Sequence, residues 1–162
     1  MLGSNSILIN TDAKGRRQSC VISGTPKPGT HMEIVPATNP NGSGLHTYRA
    51  CSRADGTIGQ LIVLLEDAEQ GKTVSDAYVS GTVGKLYWPL PGDEFNLLMR
   101  DQPGTGTANI DNVGDLLAID GATGMLQAAG TATQKPYQLL EDLTQDQTAD
   151  SLIWVQCRGL QA

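Results

Sequence analysis

The chain has 162 residues, of which 17% are charged and 4% aromatic, with 19 Gly and 8 Pro. That length buries a full core, and the weakly charged, Gly- and Pro-rich composition predicts short strands joined by turns and excludes a disordered chain. Net charge is −6 but uneven: residues 1–60 hold six basic groups (Lys14, Arg16, Arg17, Lys27, Arg49, Arg53) against three acids, and residues 61–162 hold five against fourteen. An acidic body repels nucleic acid, whose binding rests on phosphate neutralisation, while the basic N-terminal part suits an acidic protein surface.

In chain order, residues 1–24 read as an extended N-terminal arm: an apolar SILI, a charged DAKGRRQ turn and a strand at SCVIS. MLGSNSILIN lacks the charged start and long apolar run of a signal peptide, and no apolar stretch is long enough to span a membrane as a helix. TPKPGT is a turn, HMEIV (31–35) a strand, and PATNPNGSG (36–44) a loop with an Asn-Gly turn signal. LHTYRACS (45–52) and the continuous apolar QLIVLLED (60–67) are strands; AYVSGTVGKLYWPL (77–90) is two strand pieces, or one with a bulge, broken by Gly81 and Gly84. PGDEFNLLMR is a turn and a strand, and DQPGTGTANID (101–111) a loop. LLAI and GMLQA form a hairpin about DGAT, and PYQLLED pairs with SLIWVQC. The predicted architecture is mostly β: an antiparallel β-barrel or β-tulip-like domain over 25–162, preceded by the arm.

The residues for common chemistries are missing. Three cysteines (Cys20, Cys51, Cys157) form no CxxC and read as buried thiols; His31 and His46 have no GxSxG serine elbow to serve. GTVGKLY places Leu86 where a phosphate loop needs Ser or Thr, and GTGTAN supplies only part of a dinucleotide fingerprint. Asp111, Asp115 and Asp120 do not follow the calcium-loop spacing. The sequence therefore predicts a protein with no enzymatic activity, no metal and no cofactor.

Two local features suggest contacts instead. Lys14, Arg16 and Arg17 form the basic turn of the arm, a candidate docking element. Tyr87, Trp88 and Leu90 lie in the proline-stiffened YWPLPG stretch, a candidate subunit or partner contact, or alternatively an aromatic platform for a carbohydrate-binding β-sandwich module.

LLED occurs twice, at 64–67 and 139–142. Sliding the chain by 75 residues lays LLEDAEQGKTVSDAYVSGTVG over LLEDLTQDQTADSLIWVQCRG, with further identities at Gln70/Gln145, Thr73/Thr148 and Gly84/Gly159. The repeat predicts two equivalent corners of one barrel-like body, with leucines entering the core and carboxylates leaving it.

The ordered set Pro28–Gly29, Glu66–Asp67, Gly71, Asp76–Tyr78, Gly81, Pro91–Asp93, Gly114–Leu116, Gly124–Leu126 and Glu141–Asp142 resembles tailed-bacteriophage head decoration (cement) proteins over residues 25–158. That resemblance implies a structural virion protein made in the host cytoplasm. It implies binding to the major capsid protein on the capsid exterior, commonly as a homotrimer, and clamping of neighbouring capsid subunits.

Overall fold

The computed structural model describes residues 6–10, 15–36, 44–53, 58–100, 112–143 and 151–160. Lys14 and the predicted loop 101–111 lie outside them, as does most of the 36–44 loop. The fold is mostly β. Eleven strands are described: β1 (Leu8–Asn10), β2 (Arg16–Ile22), β3 (Met32–Ile34), β4 (Thr47–Ala50), β5 (Val63–Leu65), β6 (Val83–Trp88), β7 (Glu94–Met99), β8 (Leu116–Ile119), β9 (Leu126–Ala128), β10 (Tyr137–Leu139) and β11 (Ser151–Cys157). The helical content of the described residues is a single 3-10 turn, Ala68–Gln70, and no described helix is long and apolar enough to cross a membrane.

The strands make two closed barrels. The first runs β3-β4-β2-β6-β5, and the His31–Val63 bridge, with Met32 N–H on Ile62 O (2.8 Å) and Leu64 N–H on Thr30 O (3.0 Å), joins β5 back to β3. The second runs β7-β11-β10-β8-β9 and closes where β9 pairs in parallel with β7 at Met99–Leu126. Closure removes most of the sheet edges that would otherwise offer unpaired backbone groups.

The two barrels have one topology. Laying β2–β6 over β7–β11 in order matches each pairing, including the parallel pair, β2–β4 over β7–β9. Registers agree too. Ile22–Tyr48 falls on Met99–Leu126, Met32–Ala50 on Leu117–Ala128, His31–Val63 on Leu116–Gln138, and Leu64–Leu86 on Leu139–Val155. The chain is an internal duplication of a five-stranded unit.

This corrects the reading of the repeat. The two LLED copies are equivalent corners of two barrels, not of one, and both Leu64 and Leu139 are fully buried in their barrel interiors. The ungapped match fails beyond the corner. Leu86 of β6 corresponds to Val155 of β11, so Gly84, inside β6, is not the equivalent of Gly159. The first copy inserts the 3-10 turn and an irregular stretch, 73–82, before its strand begins at Val83. Gly81, at φ +88°, turns the chain there, so the expected strand piece at 77–82 is absent. Gly84 faces inward, where a Cβ would lie 2.7 Å from Ile22 Cδ1.

Three of the corner carboxylates tie distant segments to the corners. Glu66 accepts from Ser6 Oγ (2.5 Å) and Ile7 N–H (3.1 Å), and Glu141 from Trp154 N–H (2.8 Å). Asp142 accepts from Val113 N–H (3.0 Å). Asp67 does not leave the core, as expected of it: it is buried, caps the 3-10 turn through Glu69 N–H (3.1 Å) and pairs with Lys85 (3.1 Å). Burial opposes ionisation of Asp67, but the Lys85 ammonium and the Gln70 and Glu69 donors outweigh it and hold its pKa below the usual range.

The described part of residues 1–24 is not an outlying arm. β1 pairs with β7 and buries Ile7 completely, while β2 sits between β4 and β6 as an integral barrel strand. A charged turn disguised it, because the outer half of β2 faces solvent and only Cys20–Ile22 are buried.

The barrels share a core. Val63, Leu65 and Tyr87, on the outer wall of β5 and β6, join the interior of the second barrel, and the Tyr87 ring lies 5.8 Å from Phe95. His31 ties the same boundary: its N–H donates to Gly124 O (2.9 Å), its ring contacts Gly124 O (3.1 Å) through Nδ1, and its Nε2 lies 2.8 Å from Tyr137 Oη. Gly124 is required there, since at φ +72° its Cβ would meet His31 O at 2.6 Å.

Candidate functional site

The exposed outer half of β2 brings together residues that the sequence presented as two separate features. In the antiparallel β2–β6 ladder Arg16 lies opposite Trp88 and Arg17 opposite Tyr87. The Arg16 guanidinium sits 5.2 Å over the Trp88 ring and donates to Gln18 Oε1 (2.7 Å); Arg17 sits 6.0 Å over Tyr87. Trp88 is half-buried, closes the end of the first barrel and meets Tyr48 edge-on at 6.4 Å.

Tyr87 does not stand on the surface. Its side chain is buried, and its hydroxyl accepts from Gly15 N–H (3.1 Å) and donates to Asp93 Oδ2 (2.7 Å). Asp93 Oδ2 also accepts from Leu90 N–H (2.9 Å), which fixes the LPGD turn and leaves the Leu90 side chain 39% exposed. Of the three apolar groups expected on the surface, Leu90 is exposed, Trp88 partly so, and Tyr87 is core. YWPLPG therefore lacks an open aromatic pair, since Arg16 covers one face of Trp88.

The arginines of this face differ from those elsewhere in the basic segment. Arg49 and Arg53 pair with Glu33 at 2.8 and 2.9 Å, and Ser52 Oγ donates to the same carboxylate (2.8 Å). Burial works against that charge, but these three donors prevail and keep the Glu33 pKa low. Arg16 and Arg17 make no ion pair with any described residue. Beside them a groove of about 560 Å³ is lined by Arg17, Gln18, Ser19, Leu65, Glu66 and Lys85 from the barrel, with Ser6 and Leu8 of the β1 region opposite; the Glu66 carboxylate is taken up by Ser6 Oγ and Ile7 N–H. Lys85 is already neutralised by Asp67 (3.1 Å) and Glu69 (3.0 Å), so among the described residues of the groove Arg17 is the cation without an ion pair.

Burial dominates the titration of the groups inside. Burial pushes the His31 pKa down to about 4, against the Gly124 carbonyl, which favours the protonated ring. It raises the Cys20 thiol to about 12 and Cys157 to about 11, and Cys51 likewise upward; all three thiols are free and buried. Among the described residues no group of His, Cys, Asp and Glu gathers in a metal-binding arrangement.

Sequence reading missed Trp154. Along β11, Ile153, Val155 and Cys157 point inward, so the period of two turns Trp154 out, where it is 38% exposed and donates through Nε1 to Glu94 (3.2 Å). That alternation was present in SLIWVQC. Comparison of the chain with protein-family models and with curated proteins finds no match.

Proposed function

We propose that this chain is a structural capsid-binding protein of the head-decoration type, acting without catalysis and clamping neighbouring major capsid proteins from the capsid exterior as a homotrimer. The observation that carries this reading is the ordered set of motifs resembling that family, which occupy turns and corners of a duplicated barrel. Pro28–Gly29 abuts β7 through Leu98 N–H on Gly29 O (3.4 Å), Pro91–Asp93 makes the turn before β7, and Gly124 joins the two barrels. Further support comes from Arg16 and Arg17 on an exposed half-strand, which make no ion pair among the described residues, a feature suited to an acidic protein partner.

A clamp of this kind works by mass action. A ligand that binds only the intact lattice stabilises it by RT ln(1+[L]/Kd), about 4 kcal/mol per site at a thousandfold excess over Kd. Co-sedimentation with decoration-free phage heads tests the reading. Saturable binding that Arg16→Glu with Arg17→Glu weakens is expected; absence of binding by folded protein overturns it. Binding of the monomer on a glycan array would support the carbohydrate module in its place.

A further inference from the structure

The duplication reveals a place where one barrel is complemented and its twin is not. In the second barrel, Asn96 N–H donates to Ile7 O (2.8 Å) and Arg100 N–H to Leu126 O (2.8 Å). The equivalents in the first barrel are Ser19 and Ser23. Ser23 N–H does bond Tyr48 O (2.7 Å), matching Arg100. Among the described residues Ser19 has no counterpart to Ile7.

Backbone direction follows from the neighbouring bonds. Val21 N–H reaches His46 O (3.0 Å) on the β4 side, whereas Ile22 N–H reaches Thr82 O (2.9 Å) on the β6 side. With a period of two, the Arg17 and Ser19 amides point to the β4 side. β4 starts at Thr47, opposite Val21, so it does not reach them. Among the described residues no strand pairs with this edge. Burial shows the same asymmetry: Arg16, Arg17 and Ser19 are exposed, while their equivalents Asp93, Glu94 and Asn96 are buried or half-buried, β1 lying along that edge.

We infer that the edge of β2 at Arg17–Ser19, which no described strand pairs, accepts an extended acidic segment of a partner protein as an added strand, occupying on the first barrel the place β1 occupies on the second. The β1–β7 pairing shows that this edge geometry takes a strand. The chemistry of the occupant follows from charge: a strand added here sets side chains beside Arg17, whose guanidinium has no described acid. Main-chain bonds supply affinity in such strand addition, and the facing side chains supply selectivity. The inference rests on the proposed docking role and gives the partner's contacting segment a conformation and a charge.

The test uses the whole protein and a fluorescent peptide of about eight residues alternating valine and glutamate. The peptide should bind, and hydrogen–deuterium exchange at the Arg17 and Ser19 amides should slow on binding. Arg17→Glu should weaken binding by roughly tenfold or more, as like charges across an interface do. Replacing glutamate by lysine, or N-methylating alternate peptide amides, should abolish it. Equal binding of the N-methylated peptide, unchanged exchange at Arg17 and Ser19, or no binding overturns the inference. Tighter binding by a peptide of this chain's own residues 5–12 overturns the acidic partner in favour of a second copy. Loss of head binding with peptide binding intact counts against the capsid role alone, and the reverse counts against strand addition alone.

Discussion

At the scale of residues, the clearest consequences come from groups the duplication makes equivalent. Leu64 and Leu139 fill corresponding interior positions, each completely buried. Leu64→Ala and Leu139→Ala should therefore each cost about 2–5 kcal/mol in urea unfolding, and by similar amounts. His31 gives a pH signature. Its folded pKa of about 4 lies below the ordinary 6.5, so between those values the unfolded chain binds the extra proton. Stability from this group is complete above pH 6.5 and is lost as pH falls through that window toward 4, by roughly 3 kcal/mol. Unfolding free energies measured across that range should show the slope, and His31→Gln should flatten it. The thiols offer a third check. Cys20, Cys51 and Cys157 are buried and their pKa values raised, so a thiolate-specific reagent should label them only on unfolding.

At the scale of elements, legibility depended on how local the signal was. The β8–β9 hairpin was readable because apolar runs flank a DGAT turn, and Asp120 does hold that turn through Thr123 Oγ1 (2.6 Å). The inner half of β2 was legible as the strand SCVIS, while its exposed basic half, Arg16–Gln18, read as a turn, and 77–82 mimicked a strand because Tyr78 and Val79 favour strands while the chain there turns at Gly81. Tyr78 is nevertheless core, its hydroxyl donating to Leu65 O (2.9 Å). The contact between Arg16 and Trp88 joins residues far apart in sequence, and no local periodicity encodes such a pairing. Deleting residues 1–10 tests the revised role of the N-terminal segment. Loss of Ile7 burial alone should cost about 1.5–3 kcal/mol, and uncovering the β7 edge adds to it. An unchanged melting temperature would return the segment to the status of an arm.

At the scale of the whole molecule, two barrels of one topology share a core, and their likeness escaped the sequence almost entirely. Outside the LLED corner, equivalent interior positions keep apolar character but not identity, as with Cys20 and Leu97, Met32 and Leu117, or Tyr48 and Leu126. Connections of different length shift the register between strands, so a sliding comparison catches only the LLED corner. What the duplication gives is a body with most edges closed and, among the described residues, one half-strand of β2 without a pairing strand, beside two arginines that make no ion pair. Light scattering should report a trimer, and Leu90→Asp, exposed and outside the barrel interiors, should reduce assembly with little change in unfolding. The central claim is that this body stabilises a filled capsid. Its most direct test is the temperature at which decoration-free, DNA-filled heads release their DNA, followed as the protein is titrated in. The account predicts a rise that saturates with bound protein and is diminished by Arg16→Glu with Arg17→Glu; a release temperature unchanged at saturating folded protein would contradict it.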